Sequence, residues 1–254
     1  MKNLKVAGKI FYGIGIAGIG VLHFIFPGFR PVLLPVPPEA TQQMNFLVYL
    51  AGAFLVITGL VIALSRWAKN VALLLAVVLL LFFIIGHLPN RLRNQPGELG
   101  VWTDALKILA MAGGALIIAR IFPGKNNSKF TVILSKITFL GKYFFGIIFL
   151  IFGIDHFLYI DFVKTLVPTW IPGSLFWSYF AGVALIGSGL AIIIHFKPKL
   201  ISLLLGTMLF LWFILLHIPR AIAMPTVMDG NEIVSVCECL AFSGVAFLLY
   251  FDRS

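Results

Sequence analysis

Four of the five histidines in this 254-residue chain recur at matched places in its two halves, and they are the residues best suited to chemistry. His23 and His156 each precede a phenylalanine, while His87 and His217 each stand two residues before a proline, Pro89 and Pro219. An imidazole titrates near neutral pH, donates hydrogen bonds and can ligate metals. Ionisable groups inside membrane segments are costly, and so they mark a site or a proton path by default. A plainer role stays open for each. A histidine in the last turn of a helix meets the negative end of the helix dipole or satisfies a neighbouring carbonyl, and the proline two residues on stops the helix. Asp155 directly precedes His156 where the first half has Leu22, which gives only the second half a carboxylate there. Adjacent helical residues point about 100° apart, so Asp155 is not thereby the partner of His156.

The remaining polar candidates lie toward the same ends of their segments: Arg91, Trp102, Asp104 and Lys107 in the first half, and Arg220, Asp229, Glu232 and Glu238 in the second. Asp104 and Lys107 are three apart, the spacing of a local helical ion pair. Glu238 lies inside the last apolar segment with no basic residue within four positions. It is either a functional carboxylate or a tie to another helix. Cys237 and Cys239 flank it; two apart on a helix they point about 200° from each other and cannot pair. Lys107 and Leu109 are read as their counterparts in the first half. Every histidine sits on its own segment, so no metal site is expected from spacing. Nothing resembles a phosphate loop or a nucleophile elbow, and no catalytic residue is assigned.

The elements that must position these residues are set by the solvent. Of the chain, 61% is hydrophobic and 11% charged, with a mean hydropathy of +1.06. Soluble globular, disordered and disulfide-scaffold classes are excluded. A spanning helix needs roughly 20 apolar residues, and eight stretches qualify: 5 to 26, 43 to 65, 69 to 88, 101 to 121, 137 to 158, 174 to 195, 199 to 217 and 233 to 251. The chain is therefore expected to be an all-α polytopic membrane protein with eight transmembrane helices. The many glycines inside these stretches suit close helix packing. The proline-rich loop from Pro27 to Pro38 reads as a stiff cap over an outer cleft.

Charge sets the expected orientation. With both termini on one side, that side collects Lys2, Lys5, Lys9, Arg66, Lys69, Arg120, Lys125, Lys129, Lys136, Lys142, Lys197, Lys199 and Arg253 against the single acid Asp252. The opposite side holds six basic residues and the other eight acids. Lys and Arg excess marks the cytoplasmic face, which places both termini in the cytoplasm of a multi-pass protein of the cell's inner (plasma) membrane. The net charge of +10 is then a topology signal and a match to the lipid bilayer, and no nucleic-acid partner is expected.

The halves also repeat each other. Residues 8 to 35 match 141 to 168 at eleven of 28 positions, and residues 51 to 89 match 181 to 219 at sixteen of 39. The non-apolar matches carry the weight: His-Phe at 23 and 156, Pro35 with Pro168, Ala-Gly at 51 and 181, Gly59 with Gly189, and His-x-Pro at 87 and 217. The organisation expected is a first four-helix repeat (1–123), a cytoplasmic linker (124–136) and a second repeat (137–254), as two parallel four-helix bundles. Four spans is an even number, so both copies enter the membrane in the same sense.

A four-span unit with a Gly-rich first helix ending near His-Phe, a Pro-containing external loop, Ala51, Gly52, Gly59 and Leu60 on its second helix, and Gly113 and Gly114 on its last resembles the DoxX-like membrane proteins. The resemblance covers the whole chain as two units in tandem. It implies a redox-associated membrane subunit with a redox partner protein, since that grouping includes the membrane subunit of a thiosulfate:quinone oxidoreductase. The chain carries no attached soluble redox domain, and whether it is itself an enzyme stays open.

Three functions are therefore carried forward. The first is a redox-associated subunit binding a quinone-like carrier in an outward-facing, histidine-lined cleft, with His23, His87, Arg91, Trp102, Asp104, Asp155, His156, His217, Arg220 and Glu238 as ligand-binding candidates and Phe24, Phe157 and Trp102 packing the ring. The second is a non-catalytic scaffold for another membrane complex. The third is a small-solute or proton transporter.

Overall fold

In hydrocarbon every backbone N–H and C=O must be bonded within its own segment, which forces the apolar stretches into helices. The computed structural model describes residues 2–36, 38–94, 96–124 and 128–252, without the side chains of Pro38, Glu39 and Gln42. Lys125 and Arg253 of the basic side, residues 125–127 of the linker and Pro37 of the proline-rich loop lie outside the described residues. Eight helices among them are long and apolar enough to cross a membrane: α1 (Lys2–Ile25), α2 (Asn45–Leu64), α3 (Ala68–Arg93), α4 (Leu99–Ile121), α5 (Leu140–Leu158), α6 (Ser174–Ile193), α7 (Pro198–Ala223) and α8 (Asn231–Leu249). The protein is an all-α polytopic membrane protein. Large apolar side chains such as Ile57, Leu64, Ile85 and Val183 stand exposed on the outside of the bundle, as helices facing lipid require.

Glycines fix the helix pairs. Gly13 meets Gly59 and Gly20 meets Gly52 where α1 crosses α2; a Cβ at Gly13 would lie 2.5 Å from the Gly59 carbonyl oxygen. Gly146 with Gly189, and Gly153 with Gly182, make the corresponding crossing of α5 and α6. Backbone approach this close is open only to residues without a side chain, and it replaces the hydrophobic drive that lipid does not supply.

The halves are interlocked. α1 packs on α2 and on α8, α5 packs on α6 and on α4, and α4 meets α8 at the centre. α3 runs between α2 and α4, and α7 between α6 and α8. This gives two lobes, one around α1–α3 and one around α5–α7, with α4 and α8 forming a wall common to both. Gly8 against Gly244 and Gly141 against Gly113 hold the crossings. Because Gly8 corresponds to Gly141, Gly113 corresponds to Gly244. That register puts Lys107 opposite Glu238, one residue away from the correspondence with Cys237 expected from the sequence.

Pro89 and Pro219 do not end their helices, contrary to expectation. The turns before them, Phe82–His87 and Phe213–His217, widen to π geometry, and α3 and α7 continue to Arg93 and Ala223. Proline lacks the N–H that would close an ordinary turn, and a π turn redistributes the freed carbonyls. Both widened turns end on the histidine.

Candidate functional site

Lobe one is filled to its polar end. Pro27, Gly28 and Pro31 prevent α1 from continuing, and Gly28 takes a left-handed φ of 83° that turns the chain inward. The Arg30 guanidinium, 2% exposed, then donates to the carbonyls of Pro27 (2.7 Å) and Gly28 (3.1 Å), more weakly to that of Phe26 (3.4 Å), and to that of Asp229. Burial lowers its pKa from the ordinary value against the opposing pull of Asp229, and arginine keeps its charge there. The same fold of chain inserts the Phe29 ring between His23, edge-on at 6.2 Å, and Phe82 at 6.4 Å.

Both histidines of this lobe are fully buried and held by this loop. His23 Nε2 accepts from the Arg30 amide at 3.3 Å, so Nδ1 carries the proton and donates to the Ile19 carbonyl at 2.8 Å. His87 Nε2 donates to the Val32 carbonyl at 3.2 Å, leaving its buried Nδ1 without a partner. Asp104 and Arg91 are the charged groups facing His87. Below the loop, a void of only about 10 Å³ remains among Ile16, Leu55, Leu79 and Met111.

Lobe two is more exposed at the same level. In place of Pro27-Gly28-Phe29-Arg30-Pro31 it has Ile160-Asp161-Phe162-Val163-Lys164, with no helix breaker, and Ile160–Val163 forms a helical turn. An Asp161–Lys164 pair at 2.7 Å rides on its exposed face, and the Lys164 hydrogen bond holds the Asp161 carboxyl below the usual carboxylate range. Phe162, the counterpart of Phe29, is thereby swung out and 65% exposed, against 7% for Phe29. With no ring inserted, His156 stacks on Trp212 at 6.3 Å and 18°. His156 Nδ1 donates to the Phe152 carbonyl at 2.6 Å, which in the neutral ring leaves Nε2 with its lone pair. His156 and His217 are half-buried, and Asp155 Oδ1 and His217 Nδ1 are buried without partners.

The common wall carries a charged cluster. Lys107 on α4 pairs with Glu238 on α8 at 2.9 Å and with Asp104 at 3.7 Å. Glu238 is thus tied to another helix, and its Oε1 has no partner. Arg220 holds Glu232 through two bonds, at 2.6 and 3.1 Å. Lys107, Glu232 and Arg220 are the charged groups facing His217. Cys237 and Cys239 are free, and Cys239 donates to the Leu209 carbonyl.

The structure therefore brings His23 to His87 through one loop, His156 to Trp212, and His217 to the wall cluster of Asp104, Lys107, Glu238 and Arg220. It does not gather the four histidines in one pocket. Trp102 spends its indole N–H on the Pro96 carbonyl at 3.0 Å. Phe24 stacks on Tyr49 and Phe157 packs at a tilt on Tyr179, all four rings on the outer surface. Among the described residues, no three His, Cys, Asp or Glu side chains converge as metal ligands. Sequence reasoning missed Phe29, Arg30 and Trp212. The change from Pro-Gly-Phe-Arg-Pro to Ile-Asp-Phe-Val-Lys at matched positions was the available signal.

Fold and site define a polytopic helical membrane protein with two lobes, one plugged by its own loop and one without that plug. No family model matches the chain, and no curated protein or solved structure matches it.

Proposed function

We propose that this protein is the integral membrane subunit of a redox-associated system, and that lobe two binds a quinone-like carrier at headgroup depth. In this reading the chain is a tandem duplicate of a DoxX-like four-helix unit, seated in the inner (plasma) membrane with both termini cytoplasmic, and a redox partner protein exchanges the electrons. The observation that carries it is the pair Phe29 and Phe162: an aromatic ring packs beside His23 in lobe one, while its counterpart in lobe two is turned outward and leaves His156 only partly buried against Trp212.

The residues present fit such a head group. Trp212 offers a flat apolar wall, and the partnerless Asp155 Oδ1 and His217 Nδ1 are buried polar atoms of the kind a ligand satisfies. A bound quinone supplies two-electron, two-proton redox chemistry. The chain's own part is to orient the ring and handle protons. His156, held by the Phe152 carbonyl, presents Nε2 as an acceptor for a hydroxyl proton, and Asp155 or His217 takes the second.

Protein purified in mild detergent should retain quinone in its lipid extract or bind added quinone, and His156→Ala with Trp212→Ala should lose it. A protein that neither retains nor binds any quinone overturns the proposal. The scaffold reading draws on lobe one, where the loop backbone holds both histidines; it expects a membrane partner to co-purify with protein whose His156→Ala and His217→Ala variants keep the cellular phenotype.

A further inference from the structure

At the opposite end of the bundle the start of α1, the end of α4, the start of α7 and the residues after α8 enclose a recess of about 570 Å³. Lys5, Arg120 and Lys199 point into it from three different helices, with Tyr250 and Phe251 as its aromatic side. Among the described residues its one carboxylate, Asp252, has a side chain 5% exposed and pairs with Arg120 at 2.9 Å. Lys5 uses one N–H on the Ile121 carbonyl at 3.2 Å, which caps the end of α4, and stands over Phe122 at 4.7 Å. Lys199 stands over Tyr250 at 5.7 Å. Neither lysine has a carboxylate partner among the described residues, so the recess keeps a surplus of positive charge. The matched positions in the other half are Thr138, Phe251 and Lys69, so only one of the three cations recurs there.

The geometry points to a binding site for a phosphate group in this recess, supplied by an anionic lipid headgroup or by free phosphate. Convergent cations from separate elements distinguish it from a diffuse basic surface. The volume far exceeds the ~30 Å³ of a water, leaving room for the glycerol that a headgroup carries. The depth is that of the headgroup layer, where each nearby lysine or arginine strengthens binding of acidic lipid. Aromatic walls suit the start of an acyl chain. This site is independent of the quinone proposal and stands or falls separately.

The test uses the full chain in phosphatidylcholine nanodiscs, titrated with phosphatidic acid or with inorganic phosphate, reading lipid retained per chain by native mass spectrometry and the thermal midpoint. Retention of phosphatidic acid should fall about fivefold for each lysine removed in Lys199→Gln and in Lys5→Gln/Lys199→Gln. Lys129→Gln/Lys136→Gln, which removes the same charge elsewhere at that end, should change nothing, and Lys5→Arg should retain the lipid. Because Lys5 also caps α4, the exposed Lys199→Gln carries the test if the double variant does not fold. A midpoint raised by inorganic phosphate alone names the free ion as the source, and a response only to the lipid names the headgroup. Equal loss in the control variant, or no loss in Lys199→Gln, overturns the site.

Discussion

Lobe one and lobe two start from the same helix crossings, the same His-Phe and the same His-x-Pro, yet their polar ends differ completely. The cause is five residues after the first helix of each half. Where Pro27, Gly28 and Pro31 stop the helix, the chain turns inward, Arg30 collects the freed carbonyls and Phe29 becomes core. Where Ile160, Asp161 and Lys164 stand instead, the chain makes one more helical turn, Val163 packs inward and the Phe162 ring faces out. In lobe one the loop backbone binds both histidines, with His87 Nδ1 left over; in lobe two Asp155 Oδ1 and His217 Nδ1 are without partners and no loop backbone reaches His156. A matched histidine therefore says little about function until the residue covering it is known.

Truncating the covering ring is the strongest way to break the comparison. Phe29→Ala should cost about 3–5 kcal/mol, since it empties a buried aromatic site. Phe162→Ala removes an exposed ring and should stay within about 0.5 kcal/mol of the parent. Thermal unfolding in detergent measures both, and equal costs would mean that the lobes are alike. The common wall comes next. Lys107→Met leaves Glu238 buried without its cation and should cost about 3 kcal/mol. Lys107→Met/Glu238→Met should recover most of that loss, and a double-mutant cycle reads the coupling.

The histidines then separate structure from binding. His23→Ala loses two hydrogen bonds at a fully buried site and should cost about 2 kcal/mol. His156→Ala should cost about 1 kcal/mol, its ring being only partly buried, yet weaken quinone binding about tenfold or more, near the worth of a hydrogen bond to a charged or buried group. Isothermal titration and thermal midpoints on the two variants give the contrast directly. A His23→Ala variant that lost quinone affinity with its fold intact would reverse the assignment of the lobes.

Much of this was legible in the sequence. Apolar length marks all eight helices, and the glycine and histidine matches mark the places where the halves make the same contacts. The polar ends were not legible, because they depend on tertiary choices. Burial of Arg30 follows from the carbonyls that Gly28 exposes, and an unpaired-looking Glu238 meets Lys107 because α4 packs closely on α8, with Gly114 against Val245. The widened turns before Pro89 and Pro219 were missed for a similar reason. Proline marks a lost hydrogen bond, while neighbouring helices decide whether the helix stops or adapts.

The smallest effect expected is also the most discriminating. Asp155 occupies the place of Leu22, a core residue 4% exposed in lobe one, and its Oδ1 is buried without a partner. A carboxylate kept in that position without a bond to satisfy it works against folding. Asp155→Leu, which gives lobe two the residue lobe one already has, should raise stability by about 1 kcal/mol while lowering quinone affinity. A residue retained for structure alone has no reason to show that opposition. If the variant is both less stable and unaltered in binding, Asp155 has a structural partner that the resting fold does not reveal, and the polar end of lobe two loses its case as a site.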